Sequence, residues 1–91
     1  MKYRIELTRQ YLRDLKLARK RNLNEEKLNT VIFKLANGLP LTASNRDHPL
    51  TGNFSGYREC HISPDWLLIY SLSETLKVIT LYRTGSHSDL F

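Results

Sequence analysis

Apolar and polar residues alternate at the start of the chain and then change to a helical spacing. Tyr3, Ile5 and Leu7 are each separated by one polar residue, which is the period of a short strand with one solvated face. From about residue 9 to 21, apolar residues instead recur every three or four positions, as on one face of a helix. Thr8 precedes this stretch and suits an N-cap. The start of the chain is therefore predicted to be a strand followed by a helix.

A second amphipathic segment follows a break at residues 22–24. Asn24 is a favourable N-cap, and the two glutamates after it fall in the first turn, where the helix dipole favours anions. Gly38 and Pro40 end the segment. Because the break is short, the two helices are predicted to form an antiparallel hairpin.

The remaining chain is predicted to be a loop followed by three strands. Residues 41–56 are rich in Thr, Ser, Asn, Asp, Pro and Gly, which indicates a long surface loop of the kind that often carries function. Tyr57–Ile62, Trp66–Leu72 and Leu76–Arg83 are joined by links short enough for hairpins, so they predict an antiparallel meander. Trp66–Leu72 is apolar on both faces, which predicts a central strand covered on both sides.

The fold class predicted from these elements is α+β. Ser86 and Asp89 have the spacing of a capping box, which adds a short C-terminal helix to the N-terminal strand, the helical hairpin and the β-meander. With 91 residues and a hydrophobic fraction of 41%, residues 1–91 are expected to form one domain. A lone cysteine, Cys60, offers no intramolecular disulfide. No stretch has the length of a membrane span or a signal peptide, so a soluble, cytoplasmic protein is expected.

The positive charge is concentrated in the first third of the chain. The net charge is +5, and residues 1–30 carry nine Lys or Arg against four acids, whereas residues 31–91 carry five of each. On the first predicted helix, a basic stripe recurs at steps of four, three and four: Arg9, Arg13, Lys16 and Lys20. Such a stripe is a candidate contact for the phosphate backbone of a nucleic acid, although a solvated helix face is the commoner interpretation.

The side chains best suited to proton transfer lie outside that basic segment. The candidate set is His48, His61, Asp65, Arg83 and His87. If the meander closes as predicted, these residues converge near one edge of the sheet, with Glu59 on the same strand face as His61. Imidazoles, a carboxylate and a guanidinium are the groups that cleave a phosphodiester without a metal, by taking a proton from the ribose 2′-hydroxyl, protonating the leaving oxygen and stabilising the charged phosphate.

Alternative roles remain open for every member of this set. Each histidine taken alone is more often structural, Arg83 is a common ion-pair partner, and Asp65 is a turn residue. The histidines are 13 and 26 residues apart, a spacing typical of no known metal site, so no metal ligands are predicted. The chain also lacks a phosphate-binding Gly-rich loop, a nucleophile elbow and a redox cysteine pair.

Several sequence pieces together resemble the YafQ-type branch of the RelE/ParE toxin superfamily over the full length. They are Asp47-His48-Pro49-Leu50-Thr51-Gly52, Gly56-Tyr57-Arg58-Glu59-Cys60-His61-Ile62, Pro64-Asp65-Trp66-Leu67-Leu68-Ile69-Tyr70 and Arg83-Thr84-Gly85-Ser86-His87. The family's order of elements agrees with the order predicted above. The resemblance implies a toxin of a type II toxin-antitoxin system that enters the ribosomal A site of the 30S subunit and cuts the mRNA there.

The resemblance also implies roles for individual residues. The family's acid/base histidines fall on His48, His61 and His87, its aspartate on Asp65 and its phosphate-stabilising arginine on Arg83. Its terminal aromatic residue falls on Phe91, a candidate to stack on a base. Where the family often has aspartate, this chain has Glu59.

The same resemblance implies the binding partners of the protein, and it implies neither a metal nor a cofactor. The implied partners are rRNA, mRNA and a cognate acidic antitoxin with its own DNA-binding domain, and the implied site of action is the cytoplasm.

Two other functions remain alternatives at this point. The related ParE branch shares the fold but inhibits DNA gyrase without nuclease chemistry, and in such a protein the histidines would be incidental. A non-catalytic RNA-binding module would use the basic stripe and leave RNA intact.

Overall fold

A computed structural model describes all residues, 1–91, and the predicted elements are present. The strands are β1 (Arg4–Leu7), β2 (His48–Pro49), β3 (Arg58–Ser63), β4 (Trp66–Ser73) and β5 (Val78–Gly85), and the helices are α1 (Arg9–Lys20), α2 (Glu25–Ala36) and α3 (His87–Leu90). The predicted caps are confirmed: Thr8 accepts the amide of Tyr11 at 2.9 Å, and Asn24 accepts that of Glu26 at 3.1 Å. None of the helices combines the length and the apolar content needed to cross a membrane.

The five strands form one mixed sheet in the order β1-β5-β4-β3-β2. The predicted antiparallel meander is confirmed for β3, β4 and β5, whereas β1 pairs in parallel with β5. Strand β5 begins at Val78 rather than Leu76, because Lys77 adopts a left-handed turn conformation with φ of 54°. It also runs on past Arg83 to Gly85, so the strand end predicted at Arg83 is wrong.

The predicted loop at residues 41–56 contains a strand that the sequence did not indicate. His48 pairs with Glu59 and Pro49 with Arg58, and two short 3₁₀ turns flank this strand. A two-residue strand is too short to leave a periodic pattern. Asp47 ties the segment to the sheet, because its carboxylate accepts a hydrogen bond from the Tyr70 hydroxyl at 2.6 Å and one from Arg58 at 3.3 Å.

Both faces of the central strand β4 are covered, as predicted. On one face, α1 and α2 enclose a core of thirteen buried residues that includes Tyr11, Leu28 and Leu68. On the other face, Leu67, Ile69 and Leu90 form a smaller cluster under Phe54 and Tyr57. Strand β3 contributes Cys60 and Ile62 to the large core, whereas Tyr57, which directly precedes the strand, packs on the opposite face.

Candidate active site

Glu59 lies between two of the three histidines on the face opposite the helices. Its Oε1 atom is 3.6 Å from Nε2 of His48 and 3.7 Å from Nε2 of His61. Strand pairing accounts for both contacts, since His48 is the β2 partner of Glu59 and His61 is two residues farther along β3. The Glu59 side chain is only 7% exposed, so a nearly buried carboxylate faces two imidazoles.

The hydrogen bond at Nδ1 determines the tautomer of His48. Nδ1 lies 2.6 Å from the carbonyl oxygen of Arg46, and because a carbonyl can only accept, Nδ1 carries the hydrogen. A neutral His48 therefore has its lone pair on Nε2, the nitrogen that faces Glu59. This arrangement suits an imidazole that accepts a proton.

His87 is oriented by Asp65 and lies beside His61. Asp65 Oδ1 accepts hydrogen bonds from the backbone amide of His87 at 3.1 Å and from its Nδ1 at 2.9 Å. The ring centroids of His61 and His87 are 5.8 Å apart. The hydrogen bond from the His87 side chain lowers the pKa of Asp65. The sequence analysis expected Asp65 to converge with the histidines near one edge of the sheet, and in the structure Asp65 binds His87.

The turn that follows β5 fixes the position of His87. Ser86 and Asp89 form the predicted capping box, in which Ser86 accepts the Asp89 amide and Asp89 accepts the Ser86 amide. Asp89 also forms an ion pair with Arg21 at 2.7 Å, which fixes α3 against the end of α1 and lowers the pKa of Asp89. A Cβ at Gly85 would lie 3.0 Å from the Asp89 side chain, so a larger residue there would press against the side chain that closes this turn.

Arg83 is held by a carboxylate of α1 and has no hydrogen bond to the histidines. Its Nε and Nη2 atoms each donate to Asp14 at 3.0 Å, and Asp14 also accepts the backbone amide of Thr84 at 3.2 Å. Arg83 is opposite Ile69, which is opposite Glu59, so Arg83 and Glu59 are two strands apart, roughly 10 Å at the backbone. The Nη1 atom donates no hydrogen bond within the protein, so its hydrogens remain available to a ligand. Asp14 raises the pKa of the guanidinium, which stays charged.

The aromatic and basic candidates surround this cluster. Phe91 is 60% exposed and contacts Phe54 edge to face, with ring centroids 5.4 Å apart. The four basic residues of the α1 stripe are exposed and form no ion pairs: Arg9, Arg13, Lys16 and Lys20. Neither observation assigns these residues a ligand, but both leave them accessible to one.

Three side chains of the cluster also have the geometry of a metal site. One ligand atom each from Glu59, His61 and His87 lies within 4.8 Å of the others. Two imidazoles and one carboxylate are a donor set that Zn²⁺ and similar ions accept. The sequence spacing gave no indication of this set, because the sheet brings together residues that are 26 positions apart.

The sequence interpretation missed two positioning residues. Asp14 is a buried carboxylate on the apolar face of α1, between Tyr11 and Ala18. Because a charged residue on an apolar helix face usually has a partner, this position could have been predicted from the sequence. Asp47, which binds Tyr70, had no such signal, since an aspartate before His48-Pro49 resembles an ordinary turn residue.

Imidazoles and carboxylates thus cluster on one face of the sheet in a small α+β domain. A family model described as "Bacterial toxin of type II toxin-antitoxin system, YafQ" matches residues 3–91 of this chain. The chain belongs to the YafQ family of toxins. It is 47% identical over 88 residues to the mRNA interferase toxin YafQ of Escherichia coli K12, with 96% of this chain and 94% of the relative covered.

Solved structures agree with this assignment. The E. coli DinJ-YafQ toxin-antitoxin complex contains a chain that is 44% identical, with a TM-score of 0.89 and coverage of 100% of this chain and 99% of that one. A metal-bound toxin from Helicobacter pylori is 38% identical, with a TM-score of 0.92 and coverage of 98% and 99%. The predicted fold class and the family resemblance are thereby confirmed.

Proposed function

We propose that this protein is the toxin of a type II toxin-antitoxin pair and a ribosome-dependent endoribonuclease that cuts mRNA in the A site of the 30S subunit. The observation that carries the proposal is the cluster of His48, His61 and His87 with their carboxylate partners. The name of the E. coli relative, mRNA interferase toxin, supports the same chemistry. Residues 1–91 act as one domain in the cytoplasm, where ribosomes are found.

The cluster supplies the two proton transfers that the reaction needs. One imidazole accepts the proton of the ribose 2′-hydroxyl, whose oxygen attacks the adjacent phosphorus, and another protonates the departing 5′-oxygen. The 3′ fragment leaves with a 5′-hydroxyl, and the 5′ fragment keeps a 2′,3′-cyclic phosphate. Asp65 orients His87 through Nδ1, which leaves Nε2 of that ring for the substrate.

The remaining candidates bind and stabilise the RNA. Arg83 donates its Nη1 hydrogens to the phosphate as charge develops there. Phe91 stacks on a displaced base, a contact worth about 1–3 kcal/mol in single-strand binders. The α1 stripe binds ribosomal RNA through charge, a sequence-independent attraction that salt weakens.

The antitoxin is expected to cover this surface when the toxin is inactive. In E. coli, YafQ forms a complex with DinJ. We propose for this chain a cognate acidic partner that carries its own DNA-binding domain, since an acidic chain complements the basic first third of the toxin.

We propose that the reaction needs no protein-bound metal. The imidazoles provide acid and base, and the guanidinium provides positive charge, so each requirement of the chemistry has a protein group. Cleavage in the presence of EDTA, with enough Mg²⁺ restored to keep ribosomes intact, is expected to equal cleavage without EDTA.

The decisive experiment translates a defined message in vitro with the protein and maps new 5′ ends by primer extension. Wild-type protein is expected to produce cuts only in messages occupied by ribosomes, and His87→Ala is expected to lower the cleavage rate by about a hundredfold or more. Arg4→Gln, an exposed charge change on β1, is the control. Unchanged cleavage by His87→Ala, or broken chromosomal DNA without cut messages in induced cells, would contradict the proposal.

A modified substrate identifies the general acid. A message whose scissile 5′-oxygen is replaced by sulfur has a leaving group that departs without protonation. Loss of the general acid is therefore expected to slow cleavage of the normal message far more than cleavage of the sulfur message. Comparing the Ala variants of His48, His61 and His87 on both messages assigns the acid to one of them.

A further inference from the structure

A polar cavity opens beside His61, outside the cluster described above. It has a volume of about 330 Å³ and lies between the N-terminal part of α2 and the end of β3. Lys27 and Arg46 provide its charges, and Ser44 and Ser63 provide hydroxyl groups. A residue proposed for proton transfer thus forms part of the wall of a cationic cavity.

A second cavity continues the first along α2. It has a volume of about 230 Å³, shares Lys27, Asn45 and Ile62 with the first cavity, and adds Lys34. Neither cavity is lined by an aspartate or a glutamate. Lys27, Lys34 and Arg46 form no ion pair, unlike Arg19, Arg21, Arg58 and Lys77. The two cavities together form a groove, called here the α2 groove, with three unpaired cations.

The strand pairing explains why this groove is open. Strand β2 covers the outer edge of β3 only at Arg58 and Glu59. Beyond that point the chain leaves the edge through Arg46, which has a φ of 48°, and the Asn45 side chain donates to the carbonyl of His61 at 2.8 Å. The short β2 therefore leaves the last residues of β3 free to face the groove.

We propose that the α2 groove binds the phosphate backbone of the RNA strand on one side of the bond that is cut. This inference rests on the proposed function, because the strand reaches the groove from His61. Lys27, Lys34 and Arg46 contact successive phosphates, and the hydroxyls of Ser44 and Ser63 donate to phosphate oxygens. Contacts of this kind position a strand without reading its sequence.

The lining favours RNA over a protein occupant. Ile62 and Val31 are the groove's aliphatic lining residues, so an amphipathic helix of an acidic partner finds little apolar surface there. The groove also begins at a proposed catalytic residue, His61, so a substrate strand that passes His61 can continue into it. The α1 stripe lies on a different surface, since α1 packs on β5 and the groove lies at the β3 end of the sheet.

The test removes the groove charges and compares the effect with that of removing one charge at the opposite edge of the sheet. The variants are Lys27→Gln, Lys34→Gln, Arg46→Gln and the triple change, and the control is Arg4→Gln on β1. Each groove change is expected to raise KM for cleavage of ribosome-bound message about fivefold at 0.1 M salt, and to reduce the slope of log KM against log salt by about 0.7. The control is expected to change neither quantity.

A second measurement distinguishes the message from ribosomal RNA. Fluorescence anisotropy follows binding of a short oligoribonucleotide with one 2′-deoxy residue at the cleavage position. The groove variants are expected to bind it more weakly than wild type and Arg4→Gln. Unchanged oligonucleotide affinity with a raised ribosomal KM would place ribosomal RNA in the groove and overturn the proposal.

Other outcomes separate this inference from the proposed function. If wild type cleaves and the groove variants cleave with an unchanged KM and salt slope, the groove assignment is wrong and the nuclease assignment stands. If wild type does not cleave, the proposed function fails, and equal oligonucleotide affinity of all variants then overturns the groove as well. Loss of binding to an acidic antitoxin, with unchanged KM, would assign the groove to that partner instead.

Discussion

The two faces of the central sheet differ in what they contain. The face under α1 and α2 buries thirteen apolar residues in one core, whereas the opposite face buries three apolar residues and carries the histidines and their carboxylates. Strand β3 contributes to both faces, with Cys60 and Ile62 in the core and Glu59 and His61 in the candidate site. Residues of the core and residues of the candidate site therefore alternate along one strand, and we expect that each set can be changed separately.

The largest expected effect is on the helix-covered face. Leu68→Ala removes a fully buried side chain from the core, and a leucine truncation of this kind lowers the free energy of unfolding by about 2–5 kcal/mol. Urea denaturation followed by circular dichroism measures the change. His87→Ala, on the other face, is expected to change the free energy of unfolding by less than about 0.5 kcal/mol. A similar loss of unfolding free energy in both variants would show that the two faces do not differ in their contribution to stability.

The next largest effect is expected on cleavage and concerns only the face that carries the histidines. Added Zn²⁺ is expected to bind Glu59, His61 and His87 and to lower cleavage about a hundredfold at saturation, since coordination takes the lone pairs that proton transfer needs. EDTA with restored Mg²⁺ should reverse the inhibition.

A chelator competition measures the Zn²⁺ affinity directly and supplies the control. His61→Ala is expected to weaken Zn²⁺ binding, whereas His48→Ala, which is outside this set of three, is expected to leave the affinity unchanged. Equal loss of Zn²⁺ affinity in both variants would mean that the metal binds elsewhere.

A smaller effect on cleavage is expected from Asp14, which connects helix α1 to the candidate site. Asp14 on α1 holds Arg83 and accepts the Thr84 amide, so Asp14→Ala leaves a buried donor unpaired at a cost of about 1–3 kcal/mol. The freed guanidinium is also misplaced, and misplacement of a catalytic group by about 1 Å can cost up to a hundredfold in rate. Cleavage by Asp14→Ala is therefore expected to fall between tenfold and a hundredfold, mainly in kcat.

Two further variants show whether Asp14 acts through Arg83. Asp14→Asn keeps an acceptor for Thr84 and should recover most of the stability but not the rate. In Arg83→Ala, the additional change Asp14→Ala should cost little further activity. Full additivity of the two rate effects would show that Asp14 has no positioning role.

The sequence predicted elements more completely than it predicted contacts. Helix caps and hairpins depend on neighbours within a few residues, so Thr8, Asn24 and the Ser86 capping box were predictable. The parallel pairing of β1 with β5 and the partnership of Asp14 with Arg83 join residues about seventy positions apart. No local pattern encodes such contacts.

The candidate site shows the same limit. Glu59 and His61 share a strand face and were predicted to be neighbours. The pairing of His87 with Asp65, and the approach of His61 to His87, depend on where β5 ends, and the sequence placed that end at Arg83 instead of Gly85. Side-chain chemistry and the family resemblance indicated the same candidate residues, and the register of the sheet determines which of them are in contact.

The smallest expected effect concerns Cys60, on the core side of β3. Its side chain is fully buried, and burial raises the pKa of its thiol to about 12. The thiolate is the reactive form, and at pH 8 only about one thiol in ten thousand would carry that charge. Ellman's reagent is therefore expected to leave native protein unlabelled and fully active, but to label one thiol per chain in denaturant.

A histidine reagent provides the matching measurement on the other face. Diethyl pyrocarbonate is expected to inactivate the native protein, because His48 and His87 are about half exposed. Rapid labelling of Cys60 in the native state would mean that the helix-covered face opens on the time scale of the assay. Adjacent residues of β3 would then be equally accessible, and the separation of stability from chemistry along that strand would not hold.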